Sequence, residues 1–154
     1  MKKIKLSKGK YALVDNEDFD FINKRKWFFD GRKAARTEYG HNIFLHRILM
    51  KAPKDLVVDH VNHNPLDNRR LNLRICTKSN NQHNRNPNRS TNKTSIYKGV
   101  SIKKEGYIRA HITVKTKHIH LGYFKTIKEA ALAYNEAAQK YFGEFACLNK
   151  LNGK

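Results

Sequence analysis

Acidic residues are scarce in this chain. Its 154 residues carry 13 Asp and Glu against 32 Lys and Arg, for a formal net charge of +19. An excess of this size goes beyond a solvated basic face and points to a polyanionic partner, with nucleic acid ahead of acidic membranes or acidic proteins. The scarcity is greatest in the middle, where Glu105 is the only acid between Asn68 and Lys128. The first third, with Asp15, Glu17, Asp18, Asp20, Asp30 and Glu38, is closer to balance. Phosphate contact is therefore expected mainly from the middle onward.

Cysteine is almost missing. Cys76 and Cys147 are the only two. They form no CxxC pair and fall in segments that read as buried, so both are expected to be reduced core residues, and a structural zinc site lacks the clustered ligands it needs. Long apolar runs are also missing, which excludes a membrane-spanning helix, and no apolar stretch follows Met1-Lys2-Lys3 to make a signal peptide. The expectation is a soluble, intracellular, cytoplasmic chain. Hydrophobic residues make up 39%, so no part can hold a large core. The length suits one ordinary domain or two to three very small ones.

The patterning separates four stretches. Residues 1–50 contain short apolar runs, Tyr11-Ala12-Leu13-Val14, Trp27-Phe28-Phe29 and Ile43-Phe44-Leu45, and read as a small β-rich segment. Asp15 can cap a short helix through Phe19, Phe21 and Ile22. Residues 51–86 read as strand, long polar loop, strand and helix. Leu56-Val57-Val58 delivers Asp59-His60 at a strand end, Val61 to Leu71 is loop-like, Leu73-Arg74-Ile75-Cys76 alternates as a second strand, and Thr77 caps a helix running toward Pro87. Residues 87–95 form a polar linker in which Arg89 and Lys93 can touch phosphate.

Residues 96–151 read as sheet plus helix. Alternation from Tyr107 to Lys115 places Ile108, Ala110, Ile112 and Val114 on one face and Tyr107, Arg109, His111, Thr113 and Lys115 on the other. His118-Ile119-His120-Leu121 repeats the pattern. Thr126-x-x-Glu129 is a capping box that opens a helix with Ala130, Ala133, Tyr134, Ala137, Ala138 and Tyr141 on one side, closed by Gly143. The class is α+β.

The chemistry-bearing residues lie in the second stretch. Cutting a phosphodiester requires a base to take a proton from water and a hard cation to neutralise the leaving oxygen. An imidazole suits the first task and oxygen ligands around a divalent ion the second. His60 can serve as base, while Asp59 and the amide oxygen of Asn81 can hold one Mg²⁺ or Mn²⁺. Neighbours on a strand point to opposite sides, so Asp59 and His60 share a site only if the strand ends or bends there. Asn72 can fix the imidazole or tie the loop back to the hairpin. His46 beside its apolar run reads as structural, and His83 as exposed or phosphate-facing.

These residues resemble the HNH endonuclease family in Val58-Asp59-His60, in Asn72-Leu73-Arg74, and in Thr77-x-x-x-Asn81 followed by Asn84-Arg85. Phe44-Leu45-His46-Arg47-Ile48-Leu49-Met50 is similar to HNH proteins that act as homing endonucleases of phages and mobile elements. The resemblance implies a ββα-metal fold with His60 as general base, Asp59 and Asn81 as metal ligands, and Asn72 orienting the site. It implies double-stranded DNA as substrate, and a single motif copy suggests nicking. Monomer and homodimer both stay open.

Residues 96–149 resemble the ethylene-response-factor (APETALA-type) DNA-binding domain in Tyr97-Lys98-Gly99-Val100, Ile119-His120-Leu121-Gly122-Tyr123-Phe124, Glu129-Ala130-Ala131-x-Ala133-Tyr134-x-x-Ala137-Ala138 and Gly143-x-Phe145-Ala146-x-Leu148-Asn149. That implies a three-stranded antiparallel sheet packed on one helix, the sheet entering the major groove. By position Lys98, Ser101, Lys103, Tyr107 and Arg109 fall where that family touches DNA. Arg85, His111 and Lys115 join them as expected contacts. Ser101 and Tyr107 stand where those proteins usually have arginine and tryptophan, so their target does not carry over. A regulator that binds DNA without cutting it and an RNA-binding protein are the rival readings.

Overall fold

The computed structural model describes residues 1–85, 95–103 and 105–151. The chain forms two compact units, Met1–Asn81 and Gln82–Lys154. The fold is α+β, and the expected linker at 87–95 lies outside the described residues except for Ser95.

The first unit opens with strands β1 (Lys2–Lys5) and β2 (Tyr11–Val14), an antiparallel pair, followed by helix α1 (Asn16–Asn23). Asp15 is the residue before α1, but its carboxylate accepts no hydrogen bond from that helix. Oδ2 instead takes the Arg70 backbone N–H at 2.8 Å. Strands β3 (Phe28–Phe29), β4 (Ala34–Glu38) and β5 (His41–Phe44) make a second antiparallel sheet, and helix α2 (Leu45–Met50) follows at once. The hairpin β6 (Val57–His60) and β7 (Leu73–Cys76) then leads into α3 (Lys78–His83). One core joins β1, β2, α1, β4, α2 and the β6–β7 hairpin, with Ile4, Val14, Ile22, Trp27, Leu45, Leu49, Val58 and Leu73 buried together.

The loop between β6 and β7, which reads as polar and open in sequence, is built into the unit. Leu13 donates to the Leu66 carbonyl and accepts from the Asn68 N–H, both at 2.8 Å, so the loop runs beside β2 as an extra strand-like rung. Asp67 and Asn68 are almost fully buried, an outcome that loop-like composition does not announce.

The second unit contains β8 (Val100–Ile102), β9 (Ile108–Val114) and β10 (Lys117–Phe124) in the order β10-β9-β8, all antiparallel, with α4 (Ile127–Phe142) laid across one face. The expected apolar face is present. Ala110 and Ile112 are buried against Ala130, Ala131, Tyr134, Ala137 and Ala138, and Ile108 and Val114 pack beside them. Small side chains on both elements allow the close approach. The helix is rotated slightly from expectation, because Ala131 is buried where Ala133 was expected and Tyr141 is exposed. The capping box forms fully: Glu129 N–H donates to Thr126 Oγ1 and Thr126 N–H to the Glu129 carboxylate, both at 3.1 Å.

Two irregularities shape the sheet. The register shifts between His120 and Gly122, a bulge that turns both Leu121 and Gly122 toward the helix side. Lys115, expected on the polar strand face, sits at φ 55° in the tight turn joining β9 to β10.

Gly99 closes the unit. It has φ 73°, its carbonyl accepts from His111 N–H at 2.8 Å, and a Cβ there would lie 2.0 Å from the Tyr134 ring and 2.5 Å from the His111 carbonyl. Gly99→Ala is therefore expected to cost about 2–4 kcal/mol, combining the left-handed backbone with overpacking of a buried ring. Chemical denaturation of wild type and variant, read by circular dichroism, checks this.

Candidate active site

The site starts from the hairpin register. Asp59 lies opposite Arg74 and His60 opposite Leu73. Asp59 is 6% exposed, His60 7% and Asn72 7%, so three polar side chains end a short strand pair out of contact with bulk water. Buried polar groups persist when they are bonded, and the partners here are specific. Arg74 donates from Nε and Nη2 to Asp59 Oδ2 at 3.0 and 2.7 Å. This charge-assisted pair spans the hairpin and fixes the orientation of the carboxylate. The sequence offers Arg74 only as part of an alternating strand, and its pairing depends on a register that a loop of uncertain path leaves undetermined.

Asn72 resolves in favour of tying the loop. Its Oδ1 accepts the Asn62 N–H at 2.9 Å, and its Nδ2 donates to the Asp67 carbonyl at 2.8 Å. Asp67 in turn accepts Asn62 Nδ2 at 2.8 Å and both Nε and Nη2 of Arg69 at 2.8 and 2.6 Å. The Arg69 guanidinium holds the Asp67 carboxyl below the usual carboxylate range despite its burial.

His60 meets His46 edge to face, with ring centroids 5.2 Å apart, and His46 stacks on Phe44 at 5.7 Å. Burial pushes the His60 pKa down, and Lys33 pushes it further. The Asn68 side chain, Asp59 and Asp67 pull the other way without overcoming burial. The imidazole is thus kept neutral, the form that accepts a proton. Lys33, half-buried with Nζ 5.4 Å from the centre of the Phe44 ring, is the cation nearest in effect to both histidines. Periodicity gives no sign of it, because it lies in the bend between β3 and β4 and reaches the site through tertiary packing.

Asn81 is half-buried on α3, one turn after Thr77, whose carbonyl accepts its N–H at 3.1 Å. Thr77 caps the helix as expected, Oγ1 accepting the Asn80 N–H at 3.2 Å. Hairpin pairing and loop bonds join Asp59, His60 and Asn72. Asn81 is linked to them through the direct β7–α3 connection. Asp59 and Asn81 each offer oxygen, the donor type that would suit a hard divalent ion. No group of three or more His, Cys, Asp or Glu side chains suited to a metal occurs among the described residues. Two protein oxygens suit an ion that takes its other ligands from water and a substrate phosphate.

α3 ends at His83, short of Pro87, so the exposed Arg85 lies past the helix rather than one helical turn from Asn81. His83, expected to be exposed or phosphate-facing, lies flat on Phe142 with centroids 3.8 Å apart, and burial lowers its pKa. Lys98 donates from Nζ to the His83 and Arg85 carbonyls, both at 2.8 Å, so its ammonium is engaged with backbone.

The open face of the three-stranded sheet is the second candidate surface. Arg109, His111, His118, His120 and Tyr123 line a shallow concavity of about 530 Å³. Cross-strand register puts His120 beside His111, Tyr123 beside Arg109 and Ser101 beside Arg109. Tyr107 and His120 each meet Tyr123 edge-on, at 6.0 and 4.8 Å, while Lys103 is exposed after β8. His118, His120 and Tyr123 were not picked out as contacts from sequence, although the repeated alternation in their strand was the signal available.

A strand-end acid and imidazole, a pinned polar loop, and a second strand running directly into a capped helix define a hairpin-and-helix hydrolase site. An HNH endonuclease family model matches residues 45–83, which span α2 through α3. An uncharacterized HNH endonuclease of Acanthamoeba polyphaga mimivirus is 33% identical over 153 residues, covering 94% of this chain and 78% of the relative. The chain belongs to the HNH endonuclease family. No solved structure matches it significantly.

His46 is buried and uncharged, its pKa lowered to about 3 by burial, then by Lys33, His60 and Arg47. The unfolded chain takes up that proton near pH 6.5, so stability is full above 6.5 and declines as pH falls toward 3. His46→Phe is expected to flatten this decline by up to ~1.4 kcal/mol per pH unit between pH 6 and 4. Urea denaturation at several pH values measures the difference in slope.

Proposed function

We propose that the enzyme is a metal-dependent DNA endonuclease of the homing type, nicking duplex DNA at the β6–β7–α3 site and holding its target through the sheet of the second unit. The observation that carries this reading is a neutral, buried imidazole next in sequence to a buried carboxylate at one strand end, the carboxylate held by Arg74. His60 takes the proton from the attacking water. Arg74 keeps Asp59 oriented, and Asn72 keeps the loop beside His60 in place. Asp59 and the Asn81 carboxamide hold a Mg²⁺ or Mn²⁺ ion, which when bound stabilises the charge on the leaving oxygen. Lys33 adds positive potential where a phosphate approaches.

The second unit serves as an ethylene-response-factor-like module. Support comes from its three-stranded sheet, the helix behind it, and an open face that bears Arg109, His111, His120, Tyr107 and Tyr123 with no acidic residue lining its concavity. Arg and Lys reach guanine edges or phosphates from such a ribbon, and aromatic rings add contact area. The viral relative fits a mobile-element enzyme acting inside its host cell.

Plasmid nicking in Mg²⁺, with and without EDTA, tests the reaction. His60→Ala is expected to slow nicking by on the order of 10²–10⁴-fold, and Asp59→Ala to remove it, with duplex binding retained in both. Nicking at the wild-type rate in either variant, or undiminished by EDTA, would overturn the site. Arg109→Ala is expected to weaken duplex binding and to flatten its dependence on log salt by ~0.9, the loss of one phosphate contact. Competition between duplex DNA and RNA at fixed salt separates the two polymers.

A further inference from the structure

We infer that the first unit carries a second nucleic-acid site, a pocket for one nucleotide of a DNA strand, formed by the end of α1, the segment leading from it into β3, and side chains of β4 and α2. The inference rests on the DNA-cleaving reading above. The pocket has a volume of about 500 Å³ and is lined by Phe21, Ile22, Lys24, Arg25, Trp27, Arg36 and Ile48. None of these belongs to the nuclease site.

Its composition selects the ligand. The walls are apolar and aromatic, and three cations stand at them with no acid. Glu38, the nearest carboxylate in the sheet, is already bound to Arg36 Nη2 at 2.9 Å, and Asp18 on α1 is bound to Arg70. The Arg36 guanidinium lies 5.4 Å from the Trp27 ring centre, and its Nε is buried without a hydrogen-bond partner among the described residues. Trp27 cannot turn away, because its indole N–H is fixed to the Ile22 carbonyl at 2.9 Å. Phe21 stands 62% exposed at the rim, an unusual place for a phenyl ring on a helix whose other large apolar side chains are turned inward.

An apolar slot with an exposed ring and several cations matches a ligand that is flat and apolar at one end and anionic at the other. A nucleotide has that form, its base stacking on Phe21 and its phosphate meeting Lys24 and Arg25. A fatty acid or an acidic peptide lacks the flat face. The same chemistry is offered by a strand of DNA and by a free mononucleotide, and the excess charge of the chain favours the strand.

Trp27 is the only tryptophan in the chain, so its fluorescence reports this pocket directly. The full-length protein is titrated with a short oligothymidylate, with thymidine monophosphate and with inorganic phosphate. Saturable quenching by the oligonucleotide is expected. Phe21→Ala should weaken it about tenfold. The Lys24→Ala/Arg25→Ala double variant should lower its log-salt slope by ~1.4, two phosphate contacts on a single strand. All three side chains are exposed, and circular dichroism verifies the fold. Matching quenching by the monophosphate at equal nucleotide concentration would overturn the strand as ligand. Absence of quenching, or quenching that both variants leave unchanged, would overturn the pocket. Nicking by the same preparation separates the two readings: nicking without quenching removes the pocket alone, and quenching without nicking removes only the nuclease assignment.

Discussion

Everything at the active site depends on how the Asn62–Asn72 loop satisfies its own polar groups. Asn72 spends both ends of its carboxamide on that loop, and Asp67 gathers Asn62 and Arg69 while its backbone serves Asn72. Each such bond contributes only about 1 kcal/mol net, yet leaving one buried partner unmade costs about 1–3 kcal/mol. The arrangement therefore holds as a set or fails as a set. Because Leu13 brackets the loop from β2, the first strands of the chain fix the position of a histidine far along it. The amino-terminal segment and the β6–β7 hairpin share one hydrophobic core.

The two units handle charge in opposite ways. In the first, ionised groups are drawn inward and matched, Asp59 with Arg74 and Asp18 with Arg70. Burial then controls proton affinity, and histidines stay neutral because water is excluded. In the second, cations and imidazoles stand on an open sheet with few acids to quench them. On that face burial lowers the His111 pKa, and Arg109 and its histidine neighbours lower it further. Reaction chemistry gains from a dry, matched site, and attraction to a polyanion gains from a wet, unmatched one.

Much of this was legible from residue order alone. Strict alternation from Ile108 to Val114 gave the buried face of β9, Thr126 and Glu129 gave the start of α4, and Asp59-His60 after three apolar residues gave the end of β6. All of these are local signals with periods of two to four residues. What escaped was non-local. The burial of Asp67 and Asn68 comes from β2, Arg74 reaches Asp59 through register, Lys33 arrives from the bend before β4, and His83 lies on Phe142. Lys115 failed for a different reason: the alternation ran past the true end of its strand into a turn that requires positive φ.

The bulge at Leu121 has a consequence for the whole open surface. Upstream of it even-numbered residues of β10 look outward, as His118 and His120 do, and downstream the parity inverts so that Tyr123 looks outward and Phe124 inward. Two rings an odd number of steps apart can touch at 4.8 Å only because one residue has been slipped into the strand. The surface is thus encoded by a phase shift as much as by its side chains. Were β10 to run on regularly through Leu121 with every residue kept, the phenol would turn inward and the phenyl outward, with no letter of the sequence altered.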